Sequence, residues 1–151
     1  MALFSRNRSD SEGSRTRVDR RVMTMIIVAI FAFGTIHALT GQSGAVTAAT
    51  DDSLLGVMGT YGETLFIFRE DIEDVQLLDA LDPGTCVEGE IKKNTMSGIF
   101  SNDAFGEYTL HIYSKCEHYI VVEYDGGKIL VFNQGNKRLT SKIYEELLET
   151  P

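Results

Sequence analysis

Basic residues are nearly absent from one long part of this chain. Between Thr40 and Arg69 there is no Lys or Arg, and the stretch after residue 40 holds 8 basic residues against 19 acidic ones, a formal −11. That charge opposes binding to nucleic acid and to anionic lipid headgroups. The lysine pair Lys92-Lys93 stands close to Glu88 and Glu90, and the basic pair Lys137-Arg138 reads as a solvated approach to a helix. Cysteines are equally scarce: Cys86 and Cys116 are the whole complement. In an oxidising compartment the two would pair if their Cα atoms lie within about 7 Å; otherwise both are free, partly buried thiols.

Motifs that carry chemistry are also missing. No CxxC or HExxH spacing occurs, and no glycine-rich loop precedes a lysine. A metal or Cys–His reading of Cys116, His118 and His111 lacks the ligand set that zinc requires. Alternation along 108–113 sends Thr109, His111 and Tyr113 to one side, read as the solvent face. The carboxylates Asp79, Asp82, Glu88 and Glu90 flank a turn or alternate along a strand, whereas acid–base work needs them convergent. The chain therefore reads as non-enzymatic, with no cofactor. No internal repeat or heptad is visible.

Against these absences stands one long apolar run. Val22 to Leu39 contains no Asp, Glu, Lys or Arg. As a helix its 18 residues extend about 27 Å, enough to span a hydrocarbon core of about 30 Å. Arg6, Arg8, Arg15, Arg17, Arg20 and Arg21 precede it, which orients the N-terminus to the cytoplasm. His37, near the outer end, reads as an interfacial residue. The organisation expected is a disordered basic segment over 1–21, a transmembrane helix over 22–40, a flexible linker over 41–52 and an extracytoplasmic domain over 53–151. The small residues Val46-Thr47-Ala48 before Ala49 leave a second reading open, a signal peptide cleaved near Ala48 and a secreted domain.

After Ser53 the pattern is β. Strands are expected over Glu63–Phe68, Ile72–Leu78, Cys86–Lys92, Ser97–Ser101, Tyr108–Tyr113, Tyr119–Tyr124 and Lys128–Asn133. Asp82-Pro83-Gly84-Thr85 is a turn with Gly at the position that favours positive φ, and Asp125-Gly126-Gly127 is a hairpin. Leu139, Ile143, Tyr144, Leu147 and Leu148 form one helical stripe, with Thr140 or Ser141 as the N-cap. The fold class expected is mainly β with one C-terminal helix covering a partly open barrel. Edge strands and the segment from Asn94 to Asn102, with Asn94, Thr95, Met96, Ser101 and Asn102, are the expected binding surface.

The stretches TYGETLFIFREDIEDVQLLDALDPGT, SGIFSNDAFGEYTLHIY and HYIVVEYDGGKILVFN, followed by IYEELL, resemble the bacterial pleckstrin-homology-like domain family. The resemblance covers about Ser53 to Thr150 and rests on turns and core positions. It implies a seven-stranded, strongly bent β structure capped by a helix and often joined to a transmembrane segment. Phosphoinositide-binding relatives use a basic loop, and the corresponding turn here, Arg69-Glu70-Asp71, is net acidic. The partners expected are the bilayer, through the N-terminal helix, and an unidentified protein, peptide or cell-wall component.

Overall fold

The computed structural model describes residues 46–60 and 63–149. The expected basic segment, the transmembrane helix and the start of the linker lie outside the described residues. Among the described residues no helix is long and apolar enough to cross a membrane.

Among the described residues nine strands and one α-helix follow in order: β1 (Thr47–Thr50), β2 (Leu54–Met58), β3 (Thr64–Phe68), β4 (Ile72–Leu78), β5 (Thr85–Ile91), β6 (Thr95–Asn102), β7 (Gly106–Tyr113), β8 (Tyr119–Tyr124), β9 (Lys128–Phe132) and α1 (Lys137–Leu148). They form a three-stranded sheet, β1-β2-β3, and a six-stranded sheet, β4-β8-β9-β7-β6-β5. Every neighbouring pair is antiparallel except β7 with β9. The mainly β class with a C-terminal helix is as expected. The seven strands expected are nine, in two sheets that do not close.

The central strands β8 and β9 of the large sheet are buried on both faces, which explains their near-continuous apolar runs. On one face Ile120, Val122, Tyr124, Leu130 and Phe132 pack with Leu55, Val57 and Ile67 of the small sheet and with Leu147 of α1. On the other, Tyr119, Val121 and Val131 pack with Phe100, Tyr108, Leu110 and Ile112. The strands β4 and β5 lie at opposite edges, so the chain between them crosses the second face. Leu81 packs down there, the Tyr108 hydroxyl donates to Pro83 O at 3.0 Å, and Asn102 Nδ2 donates to Asp82 O at 2.7 Å. Gly84 leads this crossing into β5 with the positive φ that the sequence predicts, 69, although residues 82–84 form no turn.

Two expectations need correction. The linker expected over 41–52 contains β1. The apolar, buried β2 needs a partner on each side, and the small residues of Thr47–Thr50 supply one. The Asp51 carboxylate shapes the turn between them by accepting from Ser53 N–H at 2.8 Å and Leu54 N–H at 2.9 Å. The helix is capped by Asn136, whose side chain accepts from Leu139 N–H at 3.0 Å, and not by Thr140 or Ser141. Thr140 is buried, accepts from Gln134 N–H and donates to Asn136 O.

The helical stripe is also narrower than its sequence suggests. Ile143, Tyr144 and Leu147 meet the core, while Leu139 and Leu148 are 47% and 56% exposed. At 3.6 residues per turn those two leucines fall about 90° to either side of the buried centre. Arg69 fixes the far end of α1, since its Nη2 donates to Glu146 O at 3.0 Å. A cation there complements the helix dipole.

Leu147→Ala is expected to lower unfolding free energy by about 2–5 kcal/mol, because the side chain is buried between α1 and the sheets. Leu148→Ala is expected to stay within about 0.5 kcal/mol. Urea denaturation of both variants measures the difference, and equal effects would show that α1 docks by another face.

Candidate binding cleft

Strand register assembles a polar patch that linear sequence scatters. Ser97 lies opposite His111 on β7 and Glu90 on β5; Ile99 lies opposite Thr109 and Glu88. Alternation therefore puts two rows, Glu90–Ser97–His111 and Glu88–Ile99–Thr109, on one face of the large sheet. Gly89 and Gly98 pair between the rows. A Cβ on Gly98 would lie 2.2 Å from Glu88 O, so the two backbones approach as only glycines allow.

The β2–β3 connection closes over the first row. Gly59 N–H donates to Glu63 O at 2.9 Å, and Thr60 N–H donates to Ser97 Oγ at 3.1 Å. A side chain at Gly59 would start 2.4 Å from Ser97 Oγ and 2.5 Å from His111 Nδ1. Only glycine lets the connection sit this close. His111 is consequently 1% exposed, which corrects its expected place on a solvent face. Alternation gave the side correctly, but a second layer covers that side.

Protons in this cluster can be assigned. Ser97 Oγ lies 2.6 Å from His111 Nδ1 and 3.1 Å from Glu63 Oε1. A hydroxyl has one proton and two lone pairs. Glu63 accepts the proton; Thr60 N–H and His111 Nδ1–H fill the lone pairs. The reverse arrangement would leave two acceptors facing each other. Burial, opposed in part by the Glu63 carboxylate, pushes the His111 pKa below its ordinary 6.5. The ring is therefore neutral at pH 7, with a bare lone pair on Nε2. Among the described residues nothing hydrogen-bonds Nε2, and His111 borders the adjoining cavity.

That cavity measures about 700 Å³ and lies between β3 and the face of β5, β6 and β7. Leu65 and Ile99 give it apolar wall, Thr64 and Thr109 border it, and Glu63 and Glu88 bring carboxylates. Glu90 is already engaged, by Lys92 Nζ at 2.8 Å and by the Thr60 hydroxyl at 3.4 Å. Among the described residues no hydrogen bond or ion pair reaches the Glu88 carboxylate.

Chemically the cluster differs from a nucleophile–base–acid relay. Such a relay places nucleophile and carboxylate on opposite ring nitrogens. Here Ser97 sits 2.6 Å and Glu63 3.8 Å from the same Nδ1.

Of the residues singled out from sequence, His111, Glu88 and Glu90 come together here with Ser97, Gly98 and Ile99 of the Asn94–Asn102 segment, whereas the five residues named for its surface do not. Thr95, Met96, Ser101 and Asn102 belong to β6, which is paired on both sides, so the expected Asn94–Asn102 surface is mostly interior sheet. Thr95 is buried, Met96 packs on the second core, and Asn102 also accepts from Ala104 and Phe105 N–H. Asn94 is exposed and its carbonyl accepts from Ser114 N–H. Cys86 and Cys116 are both free thiols; the first packs on the second core and the second is buried, 3.8 Å from the Thr140 hydroxyl. His118 pairs with Asp79 at 2.7 Å, and among the described residues no group of three His, Cys, Asp or Glu is arranged to hold a metal. The Ser97–His111–Glu63 cluster was not singled out from sequence. A histidine flanked by Leu110 and Ile112 was its one visible sign.

A His whose folded pKa lies below its unfolded value contributes fully above pH 6.5 and loses stability as pH falls below it. Lowering the pH from roughly 7.5 to 5 is expected to reduce unfolding free energy, with a shallower slope in His111→Gln. Denaturant titrations at several pH values measure it, and identical slopes would remove His111 as the linked group.

Comparison of the chain with family models, with curated proteins and with solved structures finds no match.

Proposed function

We propose that the chain is a non-enzymatic binding module held at the outer face of a bacterial cytoplasmic membrane by its N-terminal apolar helix. One observation carries the binding part: the cavity of about 700 Å³, which is bordered by a buried histidine with an unused ring nitrogen. Its size falls within the range of ligand pockets, and it combines apolar wall with a few convergent polar groups. The shared ring nitrogen favours recognition over catalysis.

The anchoring part rests on the 18-residue uncharged run and its six preceding arginines. Cleavage near Ala48, the secreted alternative, would divide β1 and remove Val46, which is buried and whose carbonyl accepts from the Tyr113 hydroxyl at 3.0 Å. Retention is the better reading. The likeness to bacterial pleckstrin-homology-like domains belongs to the same proposal. A β structure followed by a C-terminal helix agrees with it; nine strands and the parallel β7–β9 pair depart from it. Phosphoinositides are poor candidates for the ligand. The one basic residue of the Arg69–Asp71 turn donates to the end of α1. A protein, peptide or cell-wall partner is the better fit.

A photo-crosslinking amino acid at Thr109, inside the cleft, is expected to yield a discrete adduct in intact cells. The same group at Lys142, exposed on α1, is expected to yield none. Equal labelling from both positions, or none from Thr109, would contradict the binding reading.

A further inference from the structure

We propose that the cleft accepts an extended polypeptide segment bearing Lys or Arg side chains, which adds to the free edge of β3 as a fourth strand of the small sheet. This rests on the binding reading above and names the class of ligand.

The first argument is the edge itself. Of the strands that end the two sheets, β1 has four residues and packs against α1. The edge strands β4 and β5 carry charges, and each is interrupted by a bulge or irregularity, between Ile72 and Asp74 and between Cys86 and Glu88. Short length, charge, bulges and cover are the usual protections against unwanted strand pairing. The fourth edge, β3, reads Thr-Leu-Phe-Ile-Phe, with no charge, no Pro and no irregularity in its pairing.

Hydrogen-bond parity supplies the second argument. Gly59 N–H reaches Glu63 O, and Arg69 N–H reaches Ser53 O at 2.9 Å. Odd-numbered residues of β3 therefore direct their backbone groups at β2. The N–H and C=O groups of Thr64, Phe66 and Phe68 point to the free edge. An added strand would lie about 4.8 Å from β3. Its side chains on the Leu65 and Ile67 side would enter the cleft. Those on the other side would cover Phe66 and Phe68, which are 38% and 46% exposed.

The third argument is complementarity. Three polar groups bordering the cleft are acceptors: the Glu63 and Glu88 carboxylates and the His111 Nε2 lone pair. Lys and Arg offer donors and no acceptor. Acidic side chains would meet like charge and an unmatched lone pair.

The full chain is to be titrated with a blocked heptapeptide, Thr-Lys-Val-Lys-Val-Lys-Thr, and with its Lys→Glu counterpart. Two further versions carry N-methyl groups on the alternate amides of one edge or of the other. The Lys peptide is expected to bind and to slow exchange of the Thr64, Phe66 and Phe68 amides. The Glu peptide, and the version methylated on the edge that faces β3, are expected to bind at least about tenfold more weakly. Methylation of the opposite edge is expected to leave affinity unchanged. Glu88→Gln, at an exposed position, is expected to weaken the Lys peptide while leaving the fold intact. Indifference to methylation, which a small cation or a loosely held chain would give, overturns strand addition. Equal affinity for the Lys and Glu peptides, or no binding of the Lys peptide at millimolar concentration, also overturns it. If Thr109 adducts persist under any of these outcomes, the cleft still binds and only the strand proposal falls.

Discussion

The carboxamide of Asn133 sits where three segments meet, and both the parallel pair and the helix depend on it. It is fully buried. Its Oδ1 accepts from Tyr113 N–H at 2.7 Å, while Nδ2 donates to Tyr113 O at 3.1 Å and to Cys116 O at 2.9 Å. Its own N–H reaches His111 O at 3.3 Å. The parallel β7–β9 pairing is short, with register from Thr109–Leu130 to His111–Phe132. Asn133 continues that pairing with side-chain bonds where the backbone ladder stops. Each buried group left unpaired without it would cost about 1–3 kcal/mol. Just beyond it, Gln134 N–H and the Thr140 hydroxyl start the approach to α1, and Asn136 caps it.

The same clamp sets the depth of His111. With β7 held at the centre of the large sheet, its outward-alternating residues come under the β2–β3 connection, and the histidine loses solvent. Burial favours the neutral ring, Ser97 Oγ accepts from Nδ1–H, and the lone pair is left on Nε2 of a residue that borders the cleft. The carboxylates of Glu63 and Glu88 add to this, in a domain already strongly negative. In the proposed recognition, long-range attraction and local hydrogen bonding would favour the same ligands, those that are cationic and rich in donors.

Much of the scaffold was legible in the sequence because local chemistry dictates it. The Ile72–Leu78 and Tyr119–Tyr124 strands and the Asp125-Gly126-Gly127 hairpin occur where propensity places them, and Gly84 has the positive φ expected of it. The strand Thr47–Thr50 was illegible, since TAAT has no apolar alternation and pairs only because β2 requires a neighbour. The cap at Asn136 was legible in principle, as Asn is a preferred N-cap, but the apolar stripe pointed to residues about one turn too late. The cleft was illegible for a different reason. Its residues come from positions 63, 88, 97, 99, 109 and 111, and register across three strands together with the β2–β3 connection, not sequence spacing, brings them together. Periodicity tells which side a residue faces and not whether another layer lies there. Periodicity supplied class and helix, and could not supply the strand pairing on which the cleft depends.

The proposed preference for a cationic ligand depends on which nitrogen of His111 carries the proton. Nitrogen-15 NMR of the histidine ring at pH 7 tests it most directly. A neutral ring with the proton on Nδ1, and Nε2 at the shift of an unprotonated nitrogen, is the result predicted. A proton on Nε2, or a charged imidazolium, would make the cleft floor a donor and contradict the assignment of a cationic ligand.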